Sequence, residues 1–169
     1  ILIEGEELVG PSGLPRGFME PFSKEASIMK NMKTTIYFAN NDASAVSGEI
    51  RTISVTQNAG MQEIIRVILE ELIKGPNNSQ LKRTIPSEVK VLAVEIKDKT
   101  AHLDFSEEME SKHWGGAAGE AMTLNSIVNT LTEFDDIEQV MMTVDGKTMN
   151  IEHVIVEEPI KRNESMIQK

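Results

Sequence analysis

Residues 61–76 read MQEIIRVILEELIKGP, the most regular pattern in the chain. From Met61, apolar side chains recur at i, i+3, i+4, i+7, i+8 and i+11, while charged or amide side chains occupy the opposite face, which predicts an amphipathic helix. Asn58 is a candidate N-cap. Gly75 suits the left-handed position after a last turn, and Pro76 cannot continue the hydrogen-bond ladder. The pattern therefore predicts a helix that ends before Gly75.

Strands are predicted on both sides of this helix. Residues 34–39 and 50–56 precede it and are rich in β-branched and aromatic side chains. Residues 89–97 and 100–106 follow it and flank Asp98-Lys99, a length that suits a two-residue hairpin turn. Each pair of strands is therefore expected to form a hairpin.

A second helix is predicted over residues 118–133. Its outer face would carry Ser126, Asn129 and Thr130, with only Glu133 charged, in contrast with the charged outer face of the first helix. This low charge makes the outer face a candidate interaction surface. The predicted inner stripe consists of Ala121, Leu124, Ile127, Val128, Leu131 and Phe134.

Two more strands complete the predicted fold. Residues 138–144 end at Asp145-Gly146, a hairpin-type turn, and residues 151–156 form a last strand. The element order is then ββαββαββ. This order favours an α+β two-layer sandwich, in which two helices cover one face of a mostly antiparallel sheet.

The chain divides into three predicted parts. Residues 1–32 form a tail interrupted by proline and glycine, residues 33–158 form the α+β domain, and residues 159–169 form a C-terminal tail. The N-terminal tail is expected to dock on the domain or on a neighbour through its apolar side chains. These side chains are Leu8, Leu14, Phe18 and Phe22.

Composition excludes several classes of function. The chain has 169 residues, of which 27 are acidic and 17 basic, so its net charge of -10 argues against nucleic-acid binding. It has no cysteine, which excludes disulfides, thiolate metal sites and thiol nucleophiles. No apolar run is long enough to span a membrane. Because the chain begins at Ile1, we expect a trimmed or mature form.

Candidate metal ligands are sparse. His102 and Asp104 share one face of a predicted strand, but zinc needs at least one more donor. Only the fold could bring His113 or His153 to them. No metal or other cofactor is therefore predicted.

The sequence gives equally weak evidence for catalytic groups. Asp104, Glu107, Glu108 and Glu110 form the densest acidic group, but glycosidase carboxylates must lie on either side of a sugar in a cleft, and clustering in sequence does not show this. Ser106 lacks the Gly-x-Ser-x-Gly turn that exposes a nucleophile. We expect no enzymatic activity, and a carboxylate-dependent cell-wall hydrolase is the remaining catalytic alternative.

Six short motifs together carry a family resemblance. They are LIKGP at 72–76, TIP at 84–86, VKVL at 89–92, AHLDFS at 101–106, NSIVNTLTEF at 125–134 and VMMTVDG at 140–146. In this order and spacing, residues 34–156 resemble the GerMN domain of sporulation and spore-germination lipoproteins. The resemblance implies an extracytoplasmic module, similar in architecture to ring-building domains and also attached to some cell-wall hydrolases. It supplies no catalytic residues.

The resemblance also implies attachment to the bacterial cell envelope through a lipid anchor. The attachment cysteine is absent from this sequence, so the anchor itself is an expectation. The expected role is binding an envelope protein or another copy of the chain, with peptidoglycan as the alternative ligand. The predicted contact residues on the sheet are Tyr37, Val91, Ala93 and Met141. The second helix's Ser126, Asn129 and Thr130 extend the predicted surface, and so does Trp114, which is either an exposed contact residue or a half-buried residue of its loop.

Overall fold

The computed structural model describes residues 28–169, in which two ββα units are followed by short strands. The predicted docking of Leu8, Leu14, Phe18 and Phe22 lies outside these residues. The elements are β1 (Met29–Ala39), β2 (Val46–Thr56), α1 (Met61–Lys74), β3 (Val91–Lys97), β4 (Thr100–Phe105), α2 (Glu108–Ser111), α3 (Ala117–Leu131), β5 (Gln139–Val144), β6 (Lys147–Thr148), β7 (Asn150–Ile151), β8 (Val154–Ile155), β9 (Ile160–Lys161) and a 3-10 helix (Glu164–Met166).

The α+β class is confirmed, but the strands do not form one sheet. β1 and β2 make a separate antiparallel hairpin, while the larger sheet has the order β3-β4-β5-β6, with β9 also paired to β5. β4 and β5 are parallel. The reason is that the chain between them passes through α2 and α3 and returns to start β5 in the same direction, as a crossover connection does.

The core lies between the helices and the sheets. The stripe of α1 is buried from Ile64 to Leu72, as the sequence predicts, and it packs mainly against β3 and β2, with further contacts to β1 and α3. Ile127, Val128 and Leu131 of α3 join the same cluster. From the large sheet, the inward side chains are Leu103, Phe105, Val140, Met142 and Val144. Apolar burial on both layers is therefore the main force that holds helix to sheet.

The ends of α1 depart from the prediction in one detail. The N-cap is Gly60 and not Asn58, and the first turn is secured by Glu63, whose carboxylate accepts hydrogen bonds from the Thr56 amide and hydroxyl. At the other end Gly75 has a φ of 94°, as expected for a glycine that ends a helix. The helix is therefore tied to the end of β2 before it begins.

Both predicted hairpin turns are present. Asp98 and Lys99 have φ values of 51° and 59°, the left-handed geometry of a tight two-residue turn. Asp145 and Gly146 have φ values of 49° and 75° and connect β5 to β6. These turns set the register of the strands that bear the outer face of the large sheet.

Residues 151–156 do not form one strand. The chain reverses at Glu152, whose φ is 42°, so that β7 and β8 pair with each other. β1 begins at Met29, inside the expected N-terminal tail, and residues 159–169 contribute β9 and the 3-10 helix. Among the described helices, none combines the length and apolarity needed to cross a bilayer.

Candidate functional site

The predicted outer face of the second helix is buried, which corrects the interpretation of Ser126, Asn129 and Thr130 as surface. All three side chains are fully inaccessible. Ser126 Oγ lies 2.7 Å from Thr84 Oγ1, and Thr130 Oγ1 accepts a 2.9 Å hydrogen bond from the Tyr37 amide. The low charge reflects burial of this face against β1 and other segments of the chain.

Tyr37 is also a buried residue and not part of an open sheet face. Its hydroxyl donates a 2.9 Å hydrogen bond to Glu133 Oε1, and the Arg162 guanidinium lies 5.7 Å from the centre of its ring. Burial raises the pKa of the phenol, and the hydrogen bond from Arg162 opposes this only in part. Tyr37 therefore fastens the β1–β2 hairpin to α3 through its amide, and to Glu133 and the C-terminal segment through its side chain.

A bulge removes Val91 from the predicted open face. Val91 pairs with Phe105, but the register shifts at Leu92 so that Ala93 pairs with Asp104. Val91 consequently packs against the core, while Ala93 lies on the outer face. Strict alternation along the sequence predicts that Val91 and Ala93 lie on the same face, because alternation alone cannot locate a bulge.

The outer face of the large sheet carries the remaining predicted contact residues. Ala93 and Met141 line a shallow depression of about 260 Å³. The other lining residues are Glu95, His102, Leu103, Asp104, Thr143 and Gly146. Asp104 has a structural task here, because its Oδ1 accepts hydrogen bonds from Thr143 Oγ1 at 2.6 Å and from the Gly146 amide at 2.8 Å.

The structure does not assemble the catalytic groups considered from the sequence. Ser106 Oγ accepts a hydrogen bond from the Lys90 amide, whereas His113 Nε2 lies 2.8 Å from Thr123 Oγ1. Glu110 accepts a hydrogen bond from the Asn150 amide. These side chains therefore hold loops and turns in place.

Among residues 28–169, three potential ligands do converge, at a place the sequence did not indicate. Oxygen or nitrogen atoms of Glu120, Glu152 and His153 all lie within 4.8 Å of one another. Glu120 lies in α3, and the other two occupy the turn between β7 and β8. Glu120 is fully buried, but the side chains of Glu152 and His153 are 55% and 62% exposed.

Hydrogen bonds hold this cluster together. His153 Nδ1 lies 3.0 Å from Glu120 Oε1 and 3.3 Å from Glu152 Oε2, and the His153 amide donates to Glu120 Oε1 at 3.2 Å. The hydrogen bond to Glu120 raises the pKa of His153. Burial alone would raise the pKa of Glu120, but the bonds from His153 outweigh it and the net shift is downward. Glu120 Oε2 is buried without a hydrogen-bond partner.

The loop before α3 borders the cluster. His113 Nδ1 accepts a hydrogen bond from the Gly115 amide, so Nε2 carries the proton that is donated to Thr123 Oγ1. Burial lowers the pKa of His113. Trp114 is half exposed and stacks on His113 with ring centres 4.8 Å apart. Gly115 lies against the Glu152 carboxylate.

The sequence does not predict this cluster, because its members are far apart in the chain. Glu120 and His153 are 33 positions apart and their elements meet only in the fold. The sequence offers His153 as a possible metal ligand, but its expected partners are His102 and Asp104. A signal was present in Glu120 itself, since it is an acidic residue in the first turn of a helix that otherwise carries little charge.

Comparisons with known proteins agree with the fold. A family model described as "Germane: Sporulation and spore germination" matches residues 35–150. The tandem GerMN domains of the sporulation protein GerM from Bacillus subtilis align with a TM-score of 0.62 and 27% identity, covering 79% of this chain. The alignment covers 46% of that chain, so this protein spans about half the length of the tandem structure.

Two further structures share the fold. The first GerMN domain of the same B. subtilis protein aligns with a TM-score of 0.56 and 19% identity, over 79% of this chain and 98% of that one. A Clostridium perfringens protein provisionally described as a lipoprotein gives 0.55 and 23%, over 78% and 87%. No curated protein matches the chain. Because the family model covers most of the residues and includes both ββα units, the chain belongs to the Germane family of sporulation and spore-germination domains.

Proposed function

We propose that this chain is a non-catalytic, extracytoplasmic interaction domain of a sporulation or germination lipoprotein, and that it binds an envelope protein through the outer face of its large sheet. Family membership supports the sporulation context. The C. perfringens relative, provisionally described as a lipoprotein, supports attachment to the envelope. The absence of cysteine means that a lipid would be carried by a segment outside this sequence.

The proposal rests mainly on the uncovered side of the large sheet. The inward side chains of β4 and β5 pack in the core, which leaves the opposite side uncovered among the described residues. There Ala93 and Met141 provide apolar area, and Glu95, His102 and Thr143 provide polar groups around it. An apolar centre with a polar rim is the usual anatomy of a protein interface.

Charge indicates the chemistry of the partner. The chain carries a net charge of -10, and Glu95 lies beside the depression. A second copy would bring the same excess of acidic groups, whereas a basic partner would be attracted. The proposed partner therefore presents an apolar side chain that enters the depression, with lysine or arginine beside it.

Site-specific photocrosslinking in sporulating cells tests this assignment. A photoreactive residue at Ala93 should capture one envelope protein, and the same group at exposed Ile50 on the separate hairpin should not. Met141→Glu should reduce the Ala93 crosslink at least about tenfold, because it places a charge in the contact. Equal capture at both positions, no capture, or capture of a second copy of this chain contradicts the proposal.

A polar depression supports peptidoglycan as a second candidate ligand. It measures about 430 Å³ and contains amide side chains that can bind sugars or stem peptides. Several of these amides already form hydrogen bonds within the chain, such as Asn40 with Ser44 and Gln168. Peptidoglycan is therefore the second candidate ligand and not the first. The lining residues are Asn40, Asn41, Asp42, Ser47, Gly48, Asn78, Gln80, Leu81 and Gln168.

Sedimentation with purified peptidoglycan separates the two candidates. If the polar depression binds the wall, the chain should sediment with it, and Asn41→Ala with Gln80→Ala should abolish retention. Met141→Glu should leave retention unchanged, because it lies on the other surface. Failure of the unmodified chain to sediment above a control protein removes this candidate.

A further inference from the structure

We propose that Glu120, Glu152 and His153 form a binding site for one divalent transition-metal ion of the Zn²⁺ class, which connects α3 to the β7–β8 turn. The site is separate from the outer face of the large sheet. It does not depend on the interaction proposed above.

The separations of the candidate ligand atoms suit such an ion. Zinc bound by nitrogen and oxygen at about 2.0–2.1 Å in tetrahedral geometry places neighbouring ligand atoms roughly 3.3 Å apart. His153 Nδ1 lies 3.0 Å from Glu120 Oε1 and 3.3 Å from Glu152 Oε2. Small rotations of the exposed Glu152 and His153 side chains would therefore complete coordination without moving the backbone.

A second observation points to a bound cation. Glu120 is fully buried, yet its Oε2 has no hydrogen-bond partner, while Oε1 accepts both contacts from His153. A buried carboxylate oxygen without a donor is costly, and native proteins rarely leave one unsatisfied. An ion bound by both oxygens of this carboxylate, Oε1 beside His153 and Oε2, would give Oε2 the positive partner that His153 does not provide.

Protonated His153 is the competing explanation for the cluster. A single proton on Nδ1 can be shared with Glu120 and Glu152, which would neutralise part of their charge without any ion. It cannot reach Glu120 Oε2 as well, because Nδ1 already faces Oε1 at 3.0 Å. The two explanations also differ in a measurable way, since only with a metal site does the free energy of unfolding rise with the logarithm of the concentration of added ion.

The donor set selects the class of ion. An imidazole nitrogen with carboxylates favours zinc and its first-row neighbours, whereas calcium requires six to eight oxygens and magnesium usually keeps several waters. Three protein ligands leave a coordination position for water or for a group from a partner. Exposure of Glu152 and His153 gives the ion a path from solvent.

The experiment is equilibrium dialysis of the full 169-residue chain against Zn²⁺, with Ca²⁺ in parallel. The unmodified chain should bind one equivalent of Zn²⁺. Glu152→Gln and His153→Gln should each weaken binding more than about tenfold, because even outer-shell changes cost 10–100-fold in metal affinity. Both residues are exposed, so these variants should fold, as their circular dichroism spectra will verify.

His102→Gln and Glu158→Gln are the matched controls, since they remove an exposed imidazole and an exposed carboxylate elsewhere. Both should bind Zn²⁺ like the unmodified chain. The midpoint of thermal unfolding should rise with Zn²⁺ in the unmodified chain and controls, but not in the two site variants. Absence of Zn²⁺ binding, binding unchanged by both site variants, or a preference for Ca²⁺ overturns the proposal.

Discussion

Arg51 Nη2 donates a 2.6 Å hydrogen bond to the carbonyl oxygen of Gly75, which joins the middle of β2 to the residue that ends α1. The same buried guanidinium forms ion pairs with Glu49 at 2.7 Å and Glu71 at 2.9 Å. One side chain therefore satisfies the carbonyl of the residue that caps α1 and two carboxylates at the junction between the hairpin and the first helix.

Replacing Arg51 by alanine should destabilise the fold by about 3 kcal/mol, because removing one partner of a buried ion pair leaves the other charges uncompensated. Arg51→Lys should cost less, since it keeps the charge but loses the planar set of donors. Urea unfolding followed by circular dichroism measures both. Lys97→Ala, at an exposed strand position, should change the free energy of unfolding by less than about 0.5 kcal/mol. Similar costs for Arg51→Ala and Lys97→Ala would contradict this role.

Glu49 should contribute to stability in a pH-dependent way. Burial raises its pKa, but hydrogen bonds from the Asn77 and Asn78 amides and from Arg51 outweigh burial, so the folded pKa is lowered. A lowered folded pKa stabilises the protein above the unfolded pKa, and that contribution is lost as pH falls through the folded pKa.

Chemical unfolding from pH 7 to pH 3 measures this effect. Glu49→Gln should be less stable than the unmodified chain at pH 7, and the difference should shrink toward acid. Glu88→Gln, in an exposed loop, is the control. A difference that stays constant with pH would show that the Glu49 charge has no part in it.

Gly115 and Gly116 form a matched pair before α3, with φ values of 73° and 86°. Alanine at either position should cost about 1–3 kcal/mol, because L side chains are strained at these angles. Only at Gly115 would the new β-carbon collide with Glu152, whereas at Gly116 it meets open space. Gly115→Ala should therefore also weaken Zn²⁺ binding, and Gly116→Ala should not. Equal Zn²⁺ affinity in the two variants would contradict the contact.

Removing residues 159–169 should reduce the free energy of unfolding by more than about 2 kcal/mol, because hydrogen bonds to a charged group are each worth about 1.5–3 kcal/mol. Arg162 Nη1 donates to the Asn129 carbonyl at 2.8 Å, and the Asn129 side chain and the Asn163 main chain exchange two hydrogen bonds. The Gln168 amide reaches Val46 on β2. Thermal and urea unfolding measure the loss, with removal of Lys169 alone as the control. Unchanged stability would mean that this segment does not hold the domain together.

The predictions from sequence succeeded where the cause is local. The spacing of apolar residues from Met61 onward requires one buried stripe on a helix. The turns at Asp98-Lys99 and Asp145-Gly146 require particular backbone angles, which depend on a few short-range contacts. Alternation also placed Ala93 and Met141 on the outer face correctly. Alternation predicted the wrong face for Val91, because the bulge between Val91 and Ala93 adds a residue to the strand and so turns the preceding side chains to the other face.

The predictions failed where polar residues are satisfied by distant partners. Ser126, Asn129 and Thr130 resemble a solvent face by composition, but partners in β1, the loop before β3 and the C-terminal segment bury them.

The α+β class, the two ββα units and the family can be predicted from the residues alone, because they depend on periodicity, turns and the order of motifs. Which polar side chains meet becomes visible in the folded chain alone, where Glu120 contacts His153 across 33 positions. The physical reason is that hydrogen bonds and ion pairs form between atoms close in space, and packing of the apolar core determines which atoms those are.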